Sequence, residues 1–363
     1  MHLTGVWTVF TPDNSPIPWD HDVVQLTTCK QGVGVWLGIV GNVLALDPDS
    51  APTTTGNVSI LYYDEGFWTA YPSEMLGFTA HEIGRMGCGS DGRLWIHRPP
   101  NEIHVFDGEE IVDYQVVQHG LPSGFGVVHP LSFVMEPTGG VWVSLDQSGI
   151  GWFLDGEWQV FTHENSSLPQ GEVTALTIDQ EGYVWGSIVE GSVDGPNKLI
   201  IVRFANESWR VYTRIPIRLY ENYVSCMAID YEGKVWIGWS PGWGPARGPT
   251  LWRIDRDKRE VIKYNRKNAL LTSHEIHSIV IDKRGRVWVG TGDSILVFSG
   301  DEQGVWRVIA PDVHATPQGS KYASMPGNPD QQRLVNVGGM LDVDSNGNIY
   351  SKCSSGFAIF TEV

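Results

Sequence analysis

Seven positions in this chain recur just before the first apolar residue of a short β-type stretch. They hold Asp22 (with the register open by one residue), Glu82, His129, Glu172, Tyr223, Glu275 and Val337. Carboxylates there would orient hydroxyl or ammonium groups, and His129 would give or accept one hydrogen bond. A second group, Trp239, Trp243 and Arg247, lies in the Gly/Pro-rich run WSPGWGPARGP. Tryptophan exposed beside carboxylates suits stacking on a sugar, and serves equally for a cation or a peptide. The expected ligand-binding set is Glu82, His129, Glu172, Tyr223, Glu275, Trp239, Trp243 and Arg247. Two bland readings stand beside it: polar residues at loop–strand junctions are ordinary solvated positions, and the loop tryptophans could simply pack on neighbouring loops.

Metal and covalent chemistry find less support. Asp342-x-Asp344-x-Asn346-Gly347 matches the first half of a calcium loop, but position 12, where an EF-hand needs Glu, is Cys353. His274-Glu275-Ile276-His277 and His81-Glu82 look like metalloprotease fragments. That motif works on a helix with histidines four apart, whereas these segments enter strands with the wrong spacing. There is no G-x-S-x-G, P-loop or dinucleotide fingerprint. No catalytic residue, metal or cofactor is assigned.

The elements that must carry these residues are repeats. Val173–Trp185 (VTALTIDQEGYVW) reads as two short strands joined by a tight turn, and it recurs at 224–236 and 276–288 with the spacing D-x-x-G-x-V-W. Looser copies lie at 130–142, 83–95 and around 23–36, and a seventh at 338–350 has Tyr for Trp. The six tryptophans Trp36, Trp95, Trp142, Trp185, Trp236 and Trp288 are spaced by 59, 47, 43, 51 and 52 residues. Two further strands follow each hairpin, as at 149–154 and 158–162, joined there by Asp155-Gly156, a hairpin turn signal.

A four-stranded sheet cannot bury both faces alone; stacking seven around an axis can. The expected fold is all-β, a seven-bladed β-propeller of four-stranded antiparallel blades, one domain over residues 1–363. The tryptophans pack between blades. The start, Gly5–Thr11, resembles a fourth strand, so residues 5–11 should pair with the C-terminal blade 334–363 and close the ring. In such a meander the inner-strand starts and the second-to-third loops share one face, around the central channel.

Composition narrows the partners. The formal charge of −17 disfavours a nucleic-acid or anionic-membrane surface. Apolar content is 41% and mean hydropathy −0.15, with no apolar run of membrane-spanning length. The N-terminus carries no signal-peptide pattern, so a complete chain would be cytoplasmic. Cys29, Cys88, Cys226 and Cys353 fall in four repeats without C-x-x-C spacing and read as buried free thiols.

The repeats resemble the two-component-regulator propeller repeat. Leu168-Pro169, Val173, Asp179, Gly182 and Trp185-Gly186 carry the resemblance, as do Leu270-Leu271, Ile276, Asp282, Gly285 and Trp288–Thr291. It covers nearly the whole chain, and implies a propeller of the kind found in sensor regions, often for oligosaccharides. The chain reads as a stand-alone, monomeric ligand-recognition module. Its expected ligand is carbohydrate-like or a cationic small molecule, bound at an acidic, Trp-flanked channel mouth. A propeller lyase or hydrolase using the same carboxylates, and a protein-interaction scaffold, are the alternatives.

Overall fold

A computed structural model describes residues 5–11, 14–17, 22–29, 34–40, 42–44, 54–98, 102–115, 132–145, 149–191, 197–217, 222–241, 250–255, 257–265, 267–271, 273–292, 294–299, 305–309, 337–353 and 356–362. Seven four-stranded antiparallel blades form a ring, each running from an inner strand at the channel to an outer one. Blade 4 is typical: Glu172–Ile178, Val184–Glu190, Asn197–Ala205 and Ser208–Ile217. Inner strands of the other blades are Asp22–Thr28, Arg85–Cys88, Phe133–Met135, Asn222–Ile229, Ile276–Ile281 and Val337–Val343. Blade 1 adds a short strand, Asn42–Leu44, paired with the start of Thr54–Asp64, which extends its sheet.

The repeated motif builds the turn and anchors the wedge between blades. In blade 4 the Asp179 carboxylate accepts backbone N–H groups of Glu181 and Tyr183, and its second oxygen accepts Trp185 Nε1 at 2.7 Å. Asp230–Trp236 and Asp282–Trp288 repeat this at 2.8 Å, Glu136–Trp142 at 2.5 Å, and Asp344–Tyr350 at 3.2 Å. The motif glycines, such as Gly182 at φ 87°, occupy the left-handed region that closes the turn.

Each of seven apolar clusters spans one pair of adjacent blades. Trp142 packs on Trp152, Phe161, Phe204 and Trp209, for example, and Trp236 on Tyr264, Phe298 and Trp306. A twisted sheet buries both faces only through such shared wedges.

The ring closes as expected. Gly5–Phe10 pairs antiparallel with Gly356–Glu362, Trp7 facing Phe360 and Phe10 facing Phe357. Gly356 is obligatory there: a Cβ on it would stand 1.8 Å from the Phe10 carbonyl oxygen. Arg286 ties blade 6 to this closing blade, donating to Asp282 Oδ2 at 2.5 Å and to Glu362 Oε2 at 2.8 Å.

One expectation fails. Cys29 and Cys88 form a disulfide bridging blades 1 and 2, across a sequence separation of 59. Cys88 ends the inner strand of blade 2 and Cys29 directly follows that of blade 1, a proximity that spacing along the chain does not reveal. Cys226 is a free thiol, and burial pushes its pKa up to about 12.

Candidate functional site

Four inner strands share an irregularity that sets the site. In blades 1, 4, 5 and 6 the ladder to the second strand skips one residue: Val24, Thr174, Ser225 and His277. Such a bulge re-aims a side chain and is common beside functional sites. Thr174, Ser225 and His277, on three consecutive blades, line a channel cavity of about 310 Å³. Immediately above them, at the strand starts, stand Glu172, Tyr223 and Glu275, all exposed. His277 Nε2 lies 3.4 Å from Glu275 Oε2, and both side chains are over 40% exposed.

A second set of equivalent positions forms a ring deeper in the channel, two residues before the partner of each motif aromatic. It comprises Gln25, Arg85, Ser132, Ala175, Cys226, Ser278 and Met340, all lining the cavity. The inner edge of every inner strand exposes unpaired backbone groups, and this ring satisfies several of them on the next blade. Gln25 Nε2 donates to Gly84 O, and Ser132 Oγ bonds both the N–H and the carbonyl of Leu176. Ser278 Oγ accepts Leu341 N, and Met340 Sδ accepts Leu26 N. Where the ring holds Cys226, the bulged Ser225 takes over, donating to Ile276 O. Arg85 breaks the pattern: its side chain makes no hydrogen bond or ion pair among the described residues. Burial in the channel pulls its pKa below the ordinary arginine value, while Cys226 and Tyr223 of blade 5 act the other way. It remains a full cation at any physiological pH.

Of the eight sequence-derived residues, Glu172, Tyr223 and Glu275 share one arc of the rim. Glu82 is on the rim of blade 2 but already engaged. It closes a capping box with Thr79 at a 3-10 turn, and its other oxygen takes Arg98 Nη2 at 2.6 Å. Those bonds lower its pKa, the Thr79 N–H most. Trp239 is not an exposed stacking wall. The second strand of blade 5 continues to Pro241, and its alternation turns Trp239 into the wedge core, 5% exposed, against Trp252. His129, Trp243 and Arg247 lie outside the described residues. The half calcium loop is spent on structure: Asp342 Oδ2 accepts Thr28 N, and Asp344 Oδ1 accepts the N–H groups of Asn346 and Asn348. Sequence reasoning missed Thr174, Ser225, His277 and Arg85. Only the polar residue second after each strand start (Thr174, Ser225, His277) hinted at the bulge.

This geometry belongs to a fold with varied uses. Residues 270–293 match the family model described as two component regulator propeller. No curated protein matches the chain. Among solved structures, virginiamycin B lyase from Staphylococcus aureus, a catalytically inactive variant with quinupristin, aligns at a TM-score of 0.62 and 13% identity, over 99% of this chain and 100% of that one. The extracellular domain of the putative hybrid two component system BT3049 from B. thetaiotaomicron aligns at 0.60 and 18% identity, over 98% of this chain and 41% of that one. YCF48 bound to D1 peptide aligns at 0.56 and 12% identity, over 100% and 98%. At these identities the likeness is one of fold.

Proposed function

We propose that this propeller is a ligand-recognition module whose small-molecule ligand sits at the channel mouth over blades 4 to 6. The observation that carries the reading is the run of three consecutive bulges, which set Thr174, Ser225 and His277 beneath Glu172, Tyr223 and Glu275. The arc offers carboxylate acceptors, an imidazole and one exposed phenol, with the Thr174 and Ser225 oxygens, already bonded to Ser187 and Ile276 O, left as acceptors, a set suited to a hydroxyl-rich, carbohydrate-like molecule. The sensor-domain likeness agrees with it. The Cys29–Cys88 bridge fits work in an oxidising compartment. A thermal-shift screen of mono- and oligosaccharides tests the reading, since a ligand of the native state raises the melting temperature. The double variant Glu172→Gln/Glu275→Gln should fold normally and lose the shift; an unchanged shift would remove the arc from the site.

A second reading rests on the Glu275–His277 contact of 3.4 Å. A carboxylate that orients an imidazole at a channel mouth is the arrangement of a general base, and propeller lyases share this fold. His277→Ala separates the two: a binding module keeps most of its ligand affinity, whereas an enzyme loses turnover with binding retained.

A further inference from the structure

Arg85 is a guanidinium without a described partner, inside a channel where equivalent polar side chains on other blades have one. The residue is half-buried, so an anion it faces in the channel would be only partly screened by water. It is not spent on holding blade 2 to blade 3, as Gln25 and Ser132 hold their neighbours, because it bonds no backbone group of the next blade among the described residues. Instead Arg85 lines the same cavity as Ser225 and Cys226 of blade 5. Thr174 and His277 line that cavity too, so the cation shares the channel beneath the proposed ligand site.

We infer that the channel is an anion subsite in which Arg85 anchors the carboxylate of a small acidic ligand. A guanidinium presents a planar fork that matches a carboxylate through two parallel N–H···O bonds. Among the described cavity-lining residues it is the only Lys or Arg, and Asp342 lines the same cavity. One guanidinium fork matches one carboxylate; a second charge on the ligand, as on a phosphate dianion, would meet Asp342 in the same cavity. The ligand would thus enter acid first, its carboxylate on Arg85 and its hydroxyl or amino groups on Glu172, Tyr223 and Glu275. This rests on the mouth being the ligand's entrance, and it changes the chemical class expected there from a cation to an acid.

The test uses the full chain and calorimetric titration with sodium acetate, D-glucuronate, D-glucose and inorganic phosphate at matched ionic strength in chloride. Glucuronate should bind and glucose should bind at least about tenfold more weakly, the difference of a charge-assisted bidentate pair. Arg85→Met should lose at least about tenfold in glucuronate and acetate affinity and, since no described side-chain bond is lost, melt close to the parent. If Arg85→Met does not fold, Arg85→Gln takes the same comparison. A variant that binds these anions as the parent does overturns the inference. So do a parent that responds to neither carboxylate, one that binds glucose as well as glucuronate, and one that binds phosphate more tightly than acetate. Acetate reaches only Arg85, so its binding should survive Glu172→Gln/Glu275→Gln. Acetate binding without any gain for glucuronate would sink the mouth reading and leave the anion subsite standing; the reverse pattern would do the opposite.

Discussion

Trp185 Nε1 donates to Asp179 Oδ2 across 2.7 Å, so the residue that shapes the turn also fixes the ring that fills the wedge between blades 4 and 5. One carboxylate oxygen closes the turn and the other orients the indole. Trp185→Ala should therefore lose about 3–5 kcal/mol through the cavity. Trp185→Phe keeps most of the packing but strands a carboxylate acceptor, for about 1–3 kcal/mol. Urea denaturation of the two variants checks the order; equal losses would mean that the aromatic packing contributes nothing beyond the hydrogen bond that both variants lack.

The same pairing explains why the fold was legible. Asp, Gly and Trp each occupy their position for a separate local reason, so the motif survives repetition and marks every hairpin. The strand starts at Glu172 and Tyr223 are fixed by register, and register follows from apolar alternation. What remained hidden depends on relations between blades. A bulge at Thr174 changes no residue type. Arg85 looks like any charged strand residue until its ring equivalents are seen bonded to the next blade. Cys29 and Cys88 meet only because consecutive inner strands lie side by side. Trp239 reads as loop because Gly and Pro follow it, yet the strand runs two residues past it.

Closure of the ring depends on a backbone approach that tolerates no side chain at Gly356. Gly356→Ala should push Gly5–Phe10 off the last blade and expose the Gly356–Glu362 edge to other chains. Deleting residues 1–11 should do the same, with aggregation visible by light scattering. A Gly356→Ala protein that stays monodisperse with the parent's melting temperature would show that the closing strand accommodates the methyl group.

The disulfide joins blades 1 and 2 across 59 residues, and a loop of that length removes about 4 kcal/mol of chain entropy from the unfolded state. Cys29→Ser/Cys88→Ser should be destabilised by about that amount against the oxidised parent, and reducing agent should lower the parent's melting temperature but not the variant's. Mass spectrometry under non-reducing conditions checks the premise: a Cys29–Cys88 cross-linked peptide is expected, and free thiols at both positions would refute the bridge.

Glu82 gives the rim an acid-sensitive element with a defined sign. The Thr79 N–H and the Arg98 guanidinium hold its folded-state pKa below the ordinary 4.5. A carboxyl group with a depressed folded pKa binds protons more readily in the unfolded state. Its contribution is therefore fully present above about pH 4.5 and disappears as pH falls from there through the folded-state value. The side chain is 44% exposed, so solvent screening keeps the effect small. Glu82→Gln should lower the melting temperature modestly at pH 7 and converge on the parent as the pH drops below 4.5. Parallel curves across that range would mean that the Thr79–Glu82–Arg98 contacts do not favour the ionised carboxylate. Because Arg98 also bonds Glu102 at 2.9 Å, Glu102→Gln should sharpen the same acid dependence by leaving Arg98 to Glu82 alone.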